Sequence, residues 1–199
     1  MAAVPVVAFS DFTSPFCYVT EAALRRLERE GLAAPRYAAF ELYPAPAPLP
    51  AGSSADDLAA ARPLAEDLGL TLAPPPAVPR TRKAHEAAKL AEEKGVGREM
   101  REALFAAYFA EGRDVGRIDV LVDVGRAVGL DATELKVVLD VDRFSGAVDA
   151  DRALARRLGI DAVPALVVGG GAGARLVAGA QPEDGLRALL EEIASQPGT

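Results

Sequence analysis

Three segments near the amino terminus fix most of what this chain can fold into. Val4 to Phe9 is a short β-branched and apolar run, the pattern of a buried strand. After a turn over Asp11 to Pro15, Phe16 to Glu30 reads as an amphipathic helix. Val19, Ala22, Ala23, Leu24 and Leu27 fall on one face and Arg25, Arg26, Glu28 and Arg29 on the other. Gly31 stops it, and Pro35 to Tyr43 mixes aromatic and apolar residues with extended character. Strand, helix and strand at this spacing make a βαβ unit, which predicts a parallel pair joined by a right-handed crossover.

Proline then interrupts the sheet. Pro44, Pro46, Pro48 and Pro50 cannot donate to a ladder or continue a helix. From about Ala55 to Leu139 the pattern is helical: Asp56–Leu68, Lys83–Glu93, Glu99–Glu111, Ile118–Val128 and Ala132–Leu139, with a second breaker at Pro74–Pro79. The α/β character returns with a helix over Arg143–Leu158 and a turn through Val163-Pro164. A hairpin of Ala165–Val168 and Ala174–Ala178 follows, and Pro182–Ala194 is a closing helix. Gln196 to Thr199 read as a frayed end.

Composition removes several function classes. The 22 basic and 29 acidic residues leave a net charge of −7, with the cations scattered along helices, which argues against nucleic acid as a partner. One cysteine excludes an intramolecular disulfide and a cysteine-rich zinc site, and one histidine argues against a histidine metal site, so no metal is expected. The amino terminus has no basic n-region, and no stretch approaches the roughly 20 apolar residues of a membrane span. The expectation is a soluble cytoplasmic protein with no membrane partner.

The chemistry-bearing residues sit at the first strand–helix junction, Ser14-Pro15-Phe16-Cys17. Ser14 is placed to cap the helix, where its oxygen accepts an N–H two or three residues on. Cys17, one turn in, is either a small apolar packing residue or a reactive thiol. His85 falls on a helix in the central block, and Arg80, Arg82 and Lys83 form a short basic cluster. Gly169 to Gly173 lacks the Lys-Ser/Thr ending of a phosphate loop and reads as a hairpin turn.

Five places in order resemble the DsbA-like branch of the thioredoxin superfamily, and its FrnE-like subfamily in particular. Asp11-Phe12-Thr13-Ser14-Pro15-Phe16-Cys17-Tyr18 is similar to DF-x-C-P-W-C-Y, with Ser for the first Cys and Phe for the Trp. Arg80 to His85 resembles N-[ST]-x-x-A-H. Leu104 to Phe109 with Gly112 to Val115 resembles F-x-A-Y-F…G-x-D-I. Gly159 to Ala165 resembles the Val-Pro turn, and Gly179-Ala180-Gln181-Pro182 the element before the last helix. The resemblance implies an α/β thioredoxin-like fold with an inserted all-helical domain: 1–50 and 142–199 thioredoxin-like, 51–141 the insertion. Ser14-Pro15-Phe16 is also similar to the S-P-[FY]-S of kappa-class glutathione transferases and 2-hydroxychromene-2-carboxylate isomerases, whose first serine activates bound glutathione.

The resemblance also implies roles. In the two-cysteine relatives the first thiolate attacks a disulfide and the second resolves the mixed disulfide. Here Ser14 holds the attacking position and Cys17 the resolving one, so the implied function is a thiol–disulfide oxidoreductase homologue with weak or absent dithiol exchange. The alternatives are a glutathione-dependent transferase or isomerase, with Ser14 donating to a bound thiolate, and a non-catalytic peptide-binding module. Pro164 corresponds to the cis-proline opposite the motif, leaving the Val163 backbone to pair with an extended substrate. Pro15, Phe16 and His85 are implied substrate contacts. The basic cluster itself reads as a solvated helix start, with a receiver for a glutathione or peptide carboxylate as the alternative. No cofactor is required. Glutathione is an optional co-substrate, and the partners are a thiol or disulfide substrate, with room for a homodimer.

Overall fold

The structure, a computed structural model, describes residues 2–195. β1 (Val4–Ser10) leads through a tight turn into α1 (Pro15–Arg29), and β2 (Ala33–Ala39) pairs with β1 in parallel, Val4 beside Ala33 and Ser10 beside Ala39. α2 (Ala55–Leu68), α3 (Arg82–Glu93), α4 (Gly97–Phe109), α5 (Ile118–Ala127) and α6 (Ala132–Asp140) form the central block. α7 (Ser145–Arg157) returns the chain to the sheet. β3 (Ala165–Val168), a 3-10 turn at Gly171–Gly173, β4 (Arg175–Ala178) and α8 (Glu183–Ser195) complete it. The expected frayed end, Gln196 to Thr199, lies outside the described residues.

The sheet order is β2-β1-β3-β4, with β3 antiparallel to both neighbours. Val4, Val6 and Ala8 of β1 pack with Leu24 and Leu27 of α1 and Leu186 and Leu190 of α8 on one face. Phe9 and Ala165 meet Ala155 of α7 and Ile160 on the other. This follows from strand alternation: successive side chains of β1 enter opposite layers. A third cluster joins Phe12, Cys17, Tyr18 and Val19 to Leu90, Met100, Leu104, Phe105 and Phe109. The α1 junction is therefore packed against the helical block, and Tyr18, Phe105 and Phe109 stack with ring centroids 5.1 and 5.6 Å from Tyr18.

β2 ends earlier than its sequence pattern predicts. The pairing with β1 closes on the Phe40 N–H, which donates to Ser10 O at 3.0 Å, and beyond it the Leu42 N–H turns to the Asp11 carboxylate at 2.8 Å; Asp151 accepts the N–H of Ala39, the last residue of β2, at 2.8 Å.

Candidate functional site

The junction between β1 and α1 is built around one buried carboxylate. Asp11 is fully buried. Its Oδ1 accepts from the Thr13 N–H at 2.8 Å and the Thr13 hydroxyl at 2.7 Å. Its Oδ2 accepts from the Leu42 N–H at 2.8 Å and the Thr81 hydroxyl at 2.9 Å. Burial pushes this carboxyl up from its ordinary value, while the four donors pull the other way. Asp11 thus ties the motif loop, the end of β2 and the start of α3 to one point.

The motif hangs from that point. Ser14 has extended backbone, and its Oγ accepts the Cys17 N–H at 3.2 Å, so it caps α1 with Pro15 in the first turn. The cap satisfies one of the donors at the positive end of the helix. Cys17 has zero exposure, and its Sγ accepts the Asp11 N–H at 3.5 Å. Burial pushes its thiol up to about 12, against the opposing pull of the Ser14 hydroxyl and the Asp11 N–H. The geometry is that of a packing residue. Ser14 is itself 5% exposed and Pro15 is buried, whereas Phe16 is half-buried against the helical cluster.

The Val163–Pro164 peptide is cis. β3 pairs antiparallel to β1 with Ala165 beside Phe9, so the next residue, Pro164, falls at the end of β1 where the motif loop begins. Pro164 O accepts the Gly179 N–H at 2.8 Å, and Gly179 has φ +78, a region open to glycine. The Gly-Ala-Gln-Pro element is thereby fastened to the Val-Pro turn. Val163 is half-buried and, like Phe16 and Ala180, packs against the helical cluster. Among the described residues, nothing bonds to its backbone N–H or C=O.

Other expected contacts lie elsewhere. His85 is a core residue of α3, 1% exposed, its ring 4.9 Å from that of Phe12, and neither ring nitrogen has a partner. Burial holds it well below 6.5, and Arg101, Lys89 and Arg82 push it the same way. It is not at a surface where a substrate could touch it. The basic cluster is spent on the fold. Arg80 donates to Tyr43 O and Ala47 O at 2.7 and 2.6 Å, Arg82 pairs with Glu41 and Asp149, and Lys83 with Asp142 and Glu86. These cations have carbonyl and carboxylate partners already, so they are not free to receive a ligand carboxylate.

Sequence reasoning missed two features. One is the Asp11 hub. The other is a buried chain in which the Ser10 hydroxyl donates to Glu21, and Arg101 donates to both Glu21 oxygens at 2.7 and 2.5 Å. The Arg101 guanidinium lies 4.8 Å from the Phe12 ring centre and 4.4 Å from that of Tyr37. The signal was a glutamate on the apolar face of a predicted helix, which requires a buried cation.

Residues 5–191 match the DSBA-like thioredoxin domain. The chain belongs to the DsbA-like thioredoxin family. A probable DsbA oxidoreductase from Streptomyces coelicolor is 26% identical with a TM-score of 0.85, covering 98% of this chain and 92% of its own. The uncharacterized protein YwbO of Bacillus subtilis is 29% identical over 177 residues, 83% of this chain and 87% of that one. The cytosolic disulfide reductase DsbM from Pseudomonas aeruginosa, solved with GSH, is 18% identical with a TM-score of 0.72, over 96% and 100% of the two chains. The family is one of thiol–disulfide oxidoreductases and their relatives. Among the described residues, no helix is long and apolar enough to cross a membrane, and no cluster of His, Cys, Asp and Glu has the makings of a metal site.

Proposed function

We propose that this chain is a FrnE-like member of the DsbA-like family that binds a thiol or disulfide substrate but does not complete dithiol exchange. The observation that carries the reading is Ser14 at the α1 cap beside a fully buried Cys17. Exchange needs a thiolate that attacks a disulfide sulfur and a second thiol that resolves the product. A serine hydroxyl is far too weak an acid to serve as the attacking anion. Cys17 is the sole cysteine, it is out of reach, and its thiol is pushed up to about 12.

Binding remains open to the site. Ser14 Oγ accepts from Cys17 N–H, and its own proton, which in this structure is in reach of Cys17, would turn to a bound thiolate at the positive end of the helix. Half-buried Phe16 and Val163 offer apolar surface, and the Val163 backbone has unpaired groups for an extended peptide. The same hydroxyl favours glutathione as ligand and a glutathione-dependent transferase or isomerase as the second reading, and the glutathione complex of DsbM supports that choice of ligand. No resident cofactor enters the scheme. With no disulfide to maintain, the chain suits a reducing cytoplasm.

The test is twofold. Insulin reduction in the presence of dithiothreitol should run at the uncatalysed rate, and a rate typical of a two-cysteine enzyme would overturn the first reading. Calorimetric titration with reduced glutathione should show binding that Ser14→Ala weakens. No heat at about 1 mM ligand, where a Kd near millimolar still gives half-saturation, would remove the glutathione reading.

A further inference from the structure

The most buried charges of this fold are held by short hydrogen bonds: Arg101 makes two to Glu21, and Arg82 donates to buried Glu41 at 2.7 Å. The cavity between α1 and α4 departs from that pattern. It measures about 420 Å³, within the size range of small-ligand sites, and Ala22, Leu68 and Leu70 give it an apolar wall.

Its charged groups of both signs are under-used. Arg25 has a side chain only 12% exposed, and its Nη1 is buried with no partner; its one acidic neighbour is Glu102, 3.7 Å from Nε. Glu28 Oε2 is buried without a hydrogen bond, and Arg98 stands 3.4 Å away. Arg29 and Glu99, exposed at the rim, are free of ion pairs within 4 Å among the described residues, Arg29 bonding to Arg25 O. A neighbouring arginine shows the contrast: Arg26 is held by Glu183 and by Leu68 O.

Each orphaned buried polar group costs about 1–3 kcal/mol when left unmet. The ligand that meets these must carry both charges. A simple anion would face Glu28, Glu99 and Glu102, and a simple cation would face four arginines. We propose that this cavity is a binding site for a free α-amino acid with an apolar side chain. Its carboxylate lies on Arg25 and Arg29, its ammonium on Glu28 and Glu99, and its side chain against Ala22, Leu68 and Leu70. The site is separate from the Ser14 motif and does not rest on the function proposed for it.

The experiment is isothermal titration of the full chain with L-leucine and L-phenylalanine, beside N-acetyl-L-leucine and L-leucinamide, each of which lacks one charge. At least one amino acid should bind, and both blocked compounds should bind at least ~10-fold more weakly, the factor corresponding to about 1.4 kcal/mol. Arg25→Gln and Glu28→Gln, each checked for native circular dichroism, should weaken binding by a similar factor. No heat from either amino acid at about 10 mM, where a millimolar Kd is already near saturation, would overturn the proposal. Equal binding of the blocked compounds, or full binding by both folded variants, would also overturn it.

Discussion

Replacing Asp11 with alanine should destabilise the fold by removing the acceptor on which three segments converge. The carboxylate accepts four hydrogen bonds, two of them from the backbone N–H groups of Thr13 and Leu42. The Thr13 and Thr81 hydroxyls can rotate toward other acceptors, but the two N–H groups are fixed, that of Thr13 buried and that of Leu42 part-buried. At about 1–3 kcal/mol for each orphaned donor, the loss is about 2–6 kcal/mol. Asp11→Asn should fall between: its carbonyl oxygen can keep both Thr13 donors, while its NH2 faces the Leu42 N–H, leaving one orphan and a cost of about 1–3 kcal/mol. Urea unfolding followed by circular dichroism measures both, and with m near 2–3 kcal/mol/M the alanine midpoint should fall by roughly 0.7–3 M. A loss below about 1 kcal/mol for alanine, or equal losses for the two variants, would refute the hub.

Cys17 in the native protein should react with iodoacetamide at pH 8 at least ~100-fold more slowly than in 6 M guanidinium, because burial removes both access and thiolate; comparable rates by mass spectrometry would contradict its burial. Ser14→Ala should lower stability by about 1 kcal/mol through loss of the cap to the Cys17 N–H, read from the urea midpoint. His85 is buried neutral and depressed below 6.5, so the unfolded chain takes up a proton that the native state refuses, and stability falls with pH below 6.5 by up to about 1.4 kcal/mol per unit. His85→Phe should remove that slope while keeping the ring contact with Phe12, and an unchanged dependence of stability on pH between 6.5 and 5 would count against it.

The sequence made the fold legible where its signals are local. The apolar run of Val4–Phe9, the two-faced helix after it and the hairpin at Ala165 each depend on neighbours in the chain, and each appears at its expected place. The Gly-Ala-Gln-Pro element was recognisable as a pattern, but its physical purpose, a Gly179 N–H on Pro164 O, was not. Failures came from long-range partners. Pro35–Tyr43 looked extended throughout, yet the strand stops at Ala39 and the Leu42 N–H turns to Asp11. Arg80, Arg82 and Lys83 looked available because their acceptors, at Tyr43, Glu41 and Asp142, come from distant segments. Asp11 read as a turn residue, since nothing in its neighbourhood announces Leu42 and Thr81. The motif itself was visible as Ser-x-x-Cys, and only folding showed that its cysteine is sealed in the core.

If the site keeps its architecture and lacks an attacking sulfur, Ser14→Cys should restore exchange. Insulin reduction by the wild-type chain and by Ser14→Cys under identical conditions should give no rate above background for the wild type and a rise of at least ~10-fold for the variant, whose new sulfur stands at the α1 amino end one turn from Cys17. Turnover by the wild type, or a folded Ser14→Cys protein that stays at background, would contradict it.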